Sequence, residues 1–323
     1  MKKVVLSVVA ALALSAAPAF AADMPVKAAP AAPAAAPSPW DIAFGSALMS
    51  DYVFRGITQS NHKPSVAAYF EPRYNITKDI QLYVGVSGES ISELNRAAAE
   101  IDFYGGARWT IGPVVLDGGF WYYYYPGGQC FNSGTFCGVA MTNLPQNTNT
   151  MVADMSFWEV YFKPTWNVND QLAIGGNLFY ANSFLHSGAP GTYVSATAKF
   201  TASDKMAIGP FGWYVSGEFG RQYLGTTNSF YGLLGTANGP GIDYADYDTW
   251  NVGLGLTWKV FTLDLRYSGT DLSKGNCNAF TGDFQASQLG NVTPINPGGV
   301  GSNWCGSTFI AKLSADLTFA NLK

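Results

Sequence analysis

The chain has 323 residues and a formal net charge of −4; it is 48 % hydrophobic and 15 % aromatic but only 12 % charged, with 36 glycines. Soluble domains carry about a quarter charged residues, and beyond the N-terminus there is no run of the roughly 18 apolar residues that a spanning helix needs. An acidic chain poor in Lys and Arg excludes a nucleic-acid binder, and a mean hydropathy of only +0.06 with so many aromatics and glycines points to a membrane β-barrel.

At the N-terminus, Lys2 and Lys3 precede an apolar stretch from Val4 to Ala17 and then Ala19-Phe20-Ala21. That is the pattern of a secretory signal peptide over residues 1–21. Residues 22–39 repeat Ala and Pro, which excludes helix and strand and predicts an extended linker. Residues 40–323 are the predicted barrel domain.

From Trp40 onward the pattern has period two. In Glu100–Thr110, Ile101, Phe103, Gly105, Ala107 and Trp109 share one face, while Glu100, Asp102, Tyr104, Arg108 and Thr110 share the other. Alternation puts apolar residues toward lipid and polar ones toward the interior of an up-and-down antiparallel barrel. Twelve such segments are predicted, at 40–55, 64–75, 81–90, 99–110, 113–125, 156–168, 171–181, 191–201, 211–223, 248–259, 262–270 and 307–319. A barrel of about fourteen strands is the alternative if a long loop hides a hairpin. Connections alternate between short turns and longer loops, which predicts periplasmic turns, extracellular loops and both termini in the periplasm. At the expected periplasmic ends stand Tyr74, Trp109, Trp166, Phe200, Trp258 and Phe319, the aromatic girdle of a membrane interface. Arg221 is the clear charge on the outward parity.

The inward parity supplies the candidate pore-lining residues. They are Tyr69, Glu71 and Arg73 on the second segment, Glu100, Asp102 and Arg108 on the fourth, and Asp117 on the fifth. Glu159 and Lys163 follow on the sixth, Glu218 on the ninth, Asp264 and Arg266 on the eleventh, and Lys312 and Asp316 on the last. Two readings stand: ion pairs that plug the barrel, or a wetted pore whose field selects solutes. Counting Glu89, acidic residues outnumber basic ones on this face, which predicts a weak cation preference if the pore is open. Asp264 and Arg266 are expected to meet Lys312 and Asp316 across neighbouring strands.

The four cysteines fall in two long loops, and an exported chain meets oxidising conditions. Of three connectivities, Cys130–Cys137 and Cys277–Cys305 are preferred because the barrel already holds both ends of each loop. Their spacing completes no metal site. His62 and His186 are expected to be solvated loop residues, and His186-Ser187 lacks the ordered third group of a hydrolase. Asp243, Asp246 and Asp248 read as a solvated acidic loop without calcium-loop spacing. No catalytic residue, metal or cofactor is predicted.

The segment Ser50-Asp51-Tyr52-Val53-Phe54-Arg55-Gly56-Ile57-Thr58-Gln59-Ser60, followed by Lys63-Pro64, resembles the N-terminal signature of the TorF-type porins. The resemblance implies a bacterial outer-membrane porin. Its expected partners are membrane lipid and lipopolysaccharide, the barrel-assembly machinery that reads a terminal aromatic, and small solutes; a single barrel and a homotrimer both remain open. The rival reading is a non-conducting barrel that displays its outer loops. Within the motif, Arg55 is expected at the outer rim, where it either meets anionic solutes or, the preferred reading, pairs with Asp51 or a neighbouring carboxylate.

Overall fold

The computed structural model describes residues 39–129, 152–228, 241, 243–281, 283, 288–289 and 299–319. The expected signal peptide, the linker as far as residue 38, and Cys130 and Cys137 lie outside them. In chain order, β1 (Trp40–Met49) is followed by a small hairpin, β2 (Val53–Phe54) and β3 (Ile57–Thr58). Then come β4 (Ser65–Asn75), β5 (Ile80–Glu89), β6 (Glu100–Ile111), β7 (Val114–Tyr124), β8 (Phe157–Asn167) and β9 (Leu172–Ala181). They continue with β10 (Gly191–Thr201), β11 (Gly212–Leu224), β12 (Tyr247–Trp258) and β13 (Phe261–Thr270). A helix, α1 (Lys274–Thr281), and the short pair β14 (Gln288–Leu289) and β15 (Val300–Gly301) precede β16 (Thr308–Thr318).

Twelve of these strands close a barrel in the order β1-β16-β13-β12-β11-β10-β9-β8-β7-β6-β5-β4, with every neighbouring pair antiparallel. Strand β1 is the seam: Trp40 pairs with Tyr74 on β4, and Ala43 with Thr318 on β16. Closure leaves no free sheet edge, so every strand's backbone groups find a partner without water. Eleven predicted segments coincide with barrel strands to within one residue at each end.

Outside, the alternation produces an apolar belt. Val84 is 63 % exposed, Phe309 64 % and Val252 52 %, with Phe103, Val66 and Leu313 also exposed. An apolar surface of that extent is stable against lipid and not against water. Trp40, Tyr74, Trp109, Trp166, Trp258 and Phe319 are exposed at the short-turn end, and the rings of Trp40 and Tyr74 lie 4.8 Å apart. Phe200 is half-buried against Trp213. The outward Arg221 is neutralised at the opposite end by Asp248 at 2.8 Å, with Asp246 at 4.0 Å. The acidic loop is therefore partnered: Asp246 also accepts from the Leu224 N–H, and Asp243 from the Thr226 hydroxyl.

The first strand departs from expectation, ending at Met49 and not near residue 55. Arg55 and Gly56 both have positive φ, 46° and 79°, the two-residue turn pattern that reverses a chain tightly with the right twist. Gly56 is required twice over, because a Cβ there would also meet the Gly269 carbonyl oxygen at 2.9 Å. The chain from Ser50 to Pro64 therefore turns inward as a strap. A hydrophobic core forms where it enters the mouth at the long-loop end. Ile57, Leu94, Tyr123, Met155, Phe157, Phe184, Tyr247 and Trp304 are all buried there.

Candidate functional site

The strap is built by its own polar residues. Asp51, itself buried, accepts from the Thr58 hydroxyl at 2.5 Å and the Ser60 hydroxyl at 3.0 Å, and pairs with His62 Nδ1 at 2.6 Å. Three partners on one carboxylate fix both ends of the hairpin relative to each other. The motif residues then fan out over the inner wall. The Tyr52 hydroxyl donates to Glu100 on β6 at 2.6 Å, and Phe54 packs edge-on against Tyr123 on β7. Arg55 forms a forked pair with Glu159 on β8, at 2.9 and 2.7 Å, and donates to Gln222 on β11 at 2.9 Å. Its guanidinium also sits over the rings of Phe179 on β9 and Tyr193 on β10, 5.0 and 4.5 Å from their centroids. Starting from β1, the strap thus touches β6 to β11 and reaches β13 at Gly56.

This placement corrects the expectation for Arg55. Its side chain is 5 % exposed and that of Glu159 is 0 %, so the pair is held inside the barrel and is not on the rim. Glu100, Asp102 and Glu159 do lie on the inward parity, but the strap and loops bury them. They do not face open lumen.

Deeper in the barrel the inward residues form two networks. On β4 to β8, Glu71 receives Arg73 at 2.6 Å and Arg108 at 3.0 Å; Arg108 and Lys163 approach Asp117 at 3.4 and 3.8 Å. Tyr83 donates to Asp117 and contacts the Tyr161 hydroxyl. These tyrosines lie flat because glycines stand opposite them: Tyr83 pairs with Gly106 and Tyr161 with Gly119. A Cβ at Gly106 or Gly119 would come within 2.7 or 2.6 Å of the facing hydroxyl. Facing Gly–Tyr pairs were a readable sequence signal that strand parity alone did not use.

On β9 to β13, Arg266 holds Asp264 through Nε at 3.0 Å and Nη2 at 2.9 Å, with Asn251 and Ser216 completing its shell. Tyr214 donates to Asp264 at 2.6 Å, and Asn177 and Tyr193 donate to Glu218, each at 3.1 Å. The expected cross-strand pairing of Asp264 and Arg266 with Lys312 and Asp316 does not form, because Arg266 reaches Asp264 on its own strand. Asp316 instead accepts from Tyr69 at 3.1 Å. Between this network and the strap lies a cavity of about 290 Å³, bordered by Arg55, Asn177, Tyr193, Glu218, Asn251 and Arg266.

Over the mouth, Cys277 on α1 is bonded to Cys305, one of the expected pairs. The strap docks on the same segment: the Thr58 N–H donates to the Trp304 carbonyl at 3.0 Å, and Ile57 bridges to Cys305. His186 lies 3.9 Å from Asp154, both more than half exposed, while the Ser187 hydroxyl donates to the Phe184 carbonyl at 2.6 Å. Serine and histidine therefore do not form a nucleophile pair.

His62 is an exposed loop residue, as expected, but its ring is tied at both nitrogens. Its Nδ1 meets Asp51 and its Nε2 meets the Asn303 carbonyl at 2.8 Å, so both ring nitrogens face acceptors, an arrangement that favours the protonated ring, which donates from both. The hydrogen bond to Asp51 raises its pKa from the ordinary 6.5, against burial and helped by Asn303 and Asp283. A raised folded-state value means that this tie is fully present below about pH 6.5 and is lost as pH rises through the shifted value. Protease cleavage between residues 50 and 64 is therefore expected to increase from pH 6 to pH 9, and His62→Gln should flatten that dependence.

A family model described as "Bacterial protein of unknown function (Gcw_chp)" matches residues 33–198, a stretch that includes the strap. No curated protein matches the sequence. Among solved structures the chain is similar to a FadL homologue of Pseudomonas aeruginosa, at 10 % identity over 86 % of this chain and 89 % of that one, with a TM-score of 0.41. It is also similar to LpxR from Salmonella typhimurium, at 8 % identity, 85 % and 99 % coverage and a TM-score of 0.39. A third is Salmonella typhi OmpF in complex with daunomycin, at 7 % identity, 87 % and 97 % coverage and a TM-score of 0.34.

Proposed function

The chain belongs to the Gcw_chp family of bacterial proteins, and within it we propose an integral outer-membrane barrel that passes small polar or charged solutes by diffusion, with the strap as the gate at its outer mouth. The observation that carries this reading is the division of the lumen. Below the strap the inner wall is charged and hydrogen-bonding, with a cavity of about 290 Å³ against it in which Asn177, Glu218, Asn251 and Arg266 face Phe54 and Phe179; at the strap one crossing segment and the core around it fill the bore. A polar lining suits water and solutes, and a segment carrying its own hairpin can move as a unit. The resemblance of residues 50–60 to the TorF-type porins supports the same reading.

Selectivity follows from what the ion pairs leave over. Glu71, Asp117, Asp264 and Glu159 are matched by Arg73, Arg108, Lys163, Arg266 and Arg55. Below the strap, Glu218 and Asp316 are bonded only to neutral groups, while Lys199 rests over the Tyr214 ring. These six carboxylates and six cations balance, so the surplus is that of Glu89, Glu100 and Asp102 over Lys312 at the long-loop end; screened over about 8 Å at physiological salt, it leaves only a slight cation preference. Liposomes containing the purified protein should take up small sugars and salts faster than protein-free liposomes, and a salt gradient should give a reversal potential of cation-selective sign. Uptake no faster than in protein-free liposomes would favour the sealed barrel, whose supporting observation is the buried Arg55–Glu159 pair at the mouth.

A further inference from the structure

Three carboxylates converge on the inner wall at the long-loop end of β5 and β6. Glu89 stands directly opposite Glu100 in the ladder, and Asp102 is the next inward residue along β6. Ligand oxygens from the three lie within 4.8 Å of one another. Glu100 and Asp102 are 2 % and 3 % exposed.

Their hydrogen bonding is complete at one carboxylate and unfinished at the other two. Glu100 accepts from Tyr52 at 2.6 Å and from Tyr125 at 2.7 Å. The Ser87 hydroxyl donates to Asp102 Oδ2 at 3.0 Å, but Asp102 Oδ1 and Glu89 Oε2 are buried with no partner. Trp121 Nε1 faces Asp102 and closes no hydrogen bond of its own. A buried carboxylate oxygen without a donor is strongly unfavourable unless something else meets it.

Nor do cationic side chains supply that partner. Among the described residues, no Lys or Arg ion pair reaches any of the three. Lys312 acts on Glu89 through space and borders, with Glu89, Tyr69 and Asp316, a cavity of about 150 Å³ on the Glu89 side of the cluster. Three carboxylates against one ammonium leave two negative charges, the charge of one divalent cation. An all-oxygen donor set selects a hard cation over a transition metal. The lone pairs of Glu100 that the tyrosines do not use remain available to it.

We propose that Glu89, Glu100 and Asp102 bind one hard divalent cation of the calcium class. The site does not depend on whether the lumen conducts. Through Tyr52, which donates to Glu100, the bound ion ties the strap to the barrel wall.

The test uses the full chain in detergent after chelator treatment, with Tb³⁺ as the luminescent probe and Ca²⁺ as competitor. Trp121 is placed to sensitise the emission. One saturable Tb³⁺ site displaced by Ca²⁺ is expected, weakened at least about tenfold in both Asp102→Asn and Glu89→Gln and unchanged in Glu218→Gln, whose carboxylate belongs to the other network. Heat-modifiable migration on gels confirms that each variant is folded. Absence of saturable binding to the folded wild-type protein overturns the proposal and means that the carboxylates share protons instead. Binding of equal strength in Asp102→Asn and Glu89→Gln overturns it as well.

Discussion

Arg55→Ala is expected to loosen the strap more than any other single change in it. The substitution leaves Glu159 fully buried without its forked partner and removes a guanidinium packed on the rings of Phe54, Phe179 and Tyr193. Removing one member of a buried pair costs about 3–5 kcal/mol, which exceeds what the Asp51 hydrogen bonds contribute singly at about 1–3 kcal/mol each. The barrel ladder is untouched, so the loss should appear as local opening. Amide exchange of residues 51–62 should accelerate by two orders of magnitude or more, while that of β9 and β10 stays slow. The double replacement Arg55→Met with Glu159→Met should recover much of the protection, because apolar residues of similar volume often match a buried pair. Exchange in Arg55→Ala within a factor of about two of the wild-type rate would show that the pair does not hold the strap.

The second large effect belongs to the disulfide over the mouth. Cys277 and Cys305 are separated by 28 residues, and a loop of that length loses closure entropy equivalent to about 3–4 kcal/mol when it is cross-linked. Cys277 is completely buried in the mouth core, and Trp304 beside its partner accepts the strap's Thr58 N–H. Replacing both cysteines by serine should therefore release the 299–307 segment and the strap together. Limited proteolysis at pH 6, where the His62–Asp51 tie is in place, should cut both regions in the folded variant and neither in the oxidised wild-type protein. Cleavage confined to residues 299–307 would show that the strap is anchored independently.

The barrel was legible because lipid imposes a simple rule on every strand. Outward positions must be largely apolar, so Trp158, Val160 and Phe162 or Val252, Leu254 and Leu256 announce their face without reference to any partner. The same rule assigned Glu71, Arg108, Asp117, Lys163 and Arg266 to the interior. Their pairings were harder to read, because partners depend on register and side-chain reach. Arg266 reaches back along its own strand to Asp264, and Arg108 spans to both Glu71 and Asp117. The strap was missed for a related reason. Val53 and Phe54 continue the alternation of β1, and only Arg55-Gly56 flanked by Phe54 and Ile57 signals the reversal. Gly at the second turn position was a readable hint, whereas Arg at positive φ is uncommon. The fate of Arg55 was not legible at all, since its partners Glu159 and Gln222 are 104 and 167 residues away.

Single-channel recording in planar bilayers tests both whether the lumen conducts and whether the strap limits it. The wild-type protein, Arg55→Ala and a variant with residues 52–62 replaced by a short Gly-Ser turn would be compared at one salt concentration, each first shown to be folded by its gel migration. Small, infrequent unitary steps are expected from the wild-type barrel, with several-fold larger or longer openings from both variants. Silence from all three folded proteins would contradict conduction and leave a sealed barrel; equal steps from all three would leave a pore that the strap does not gate.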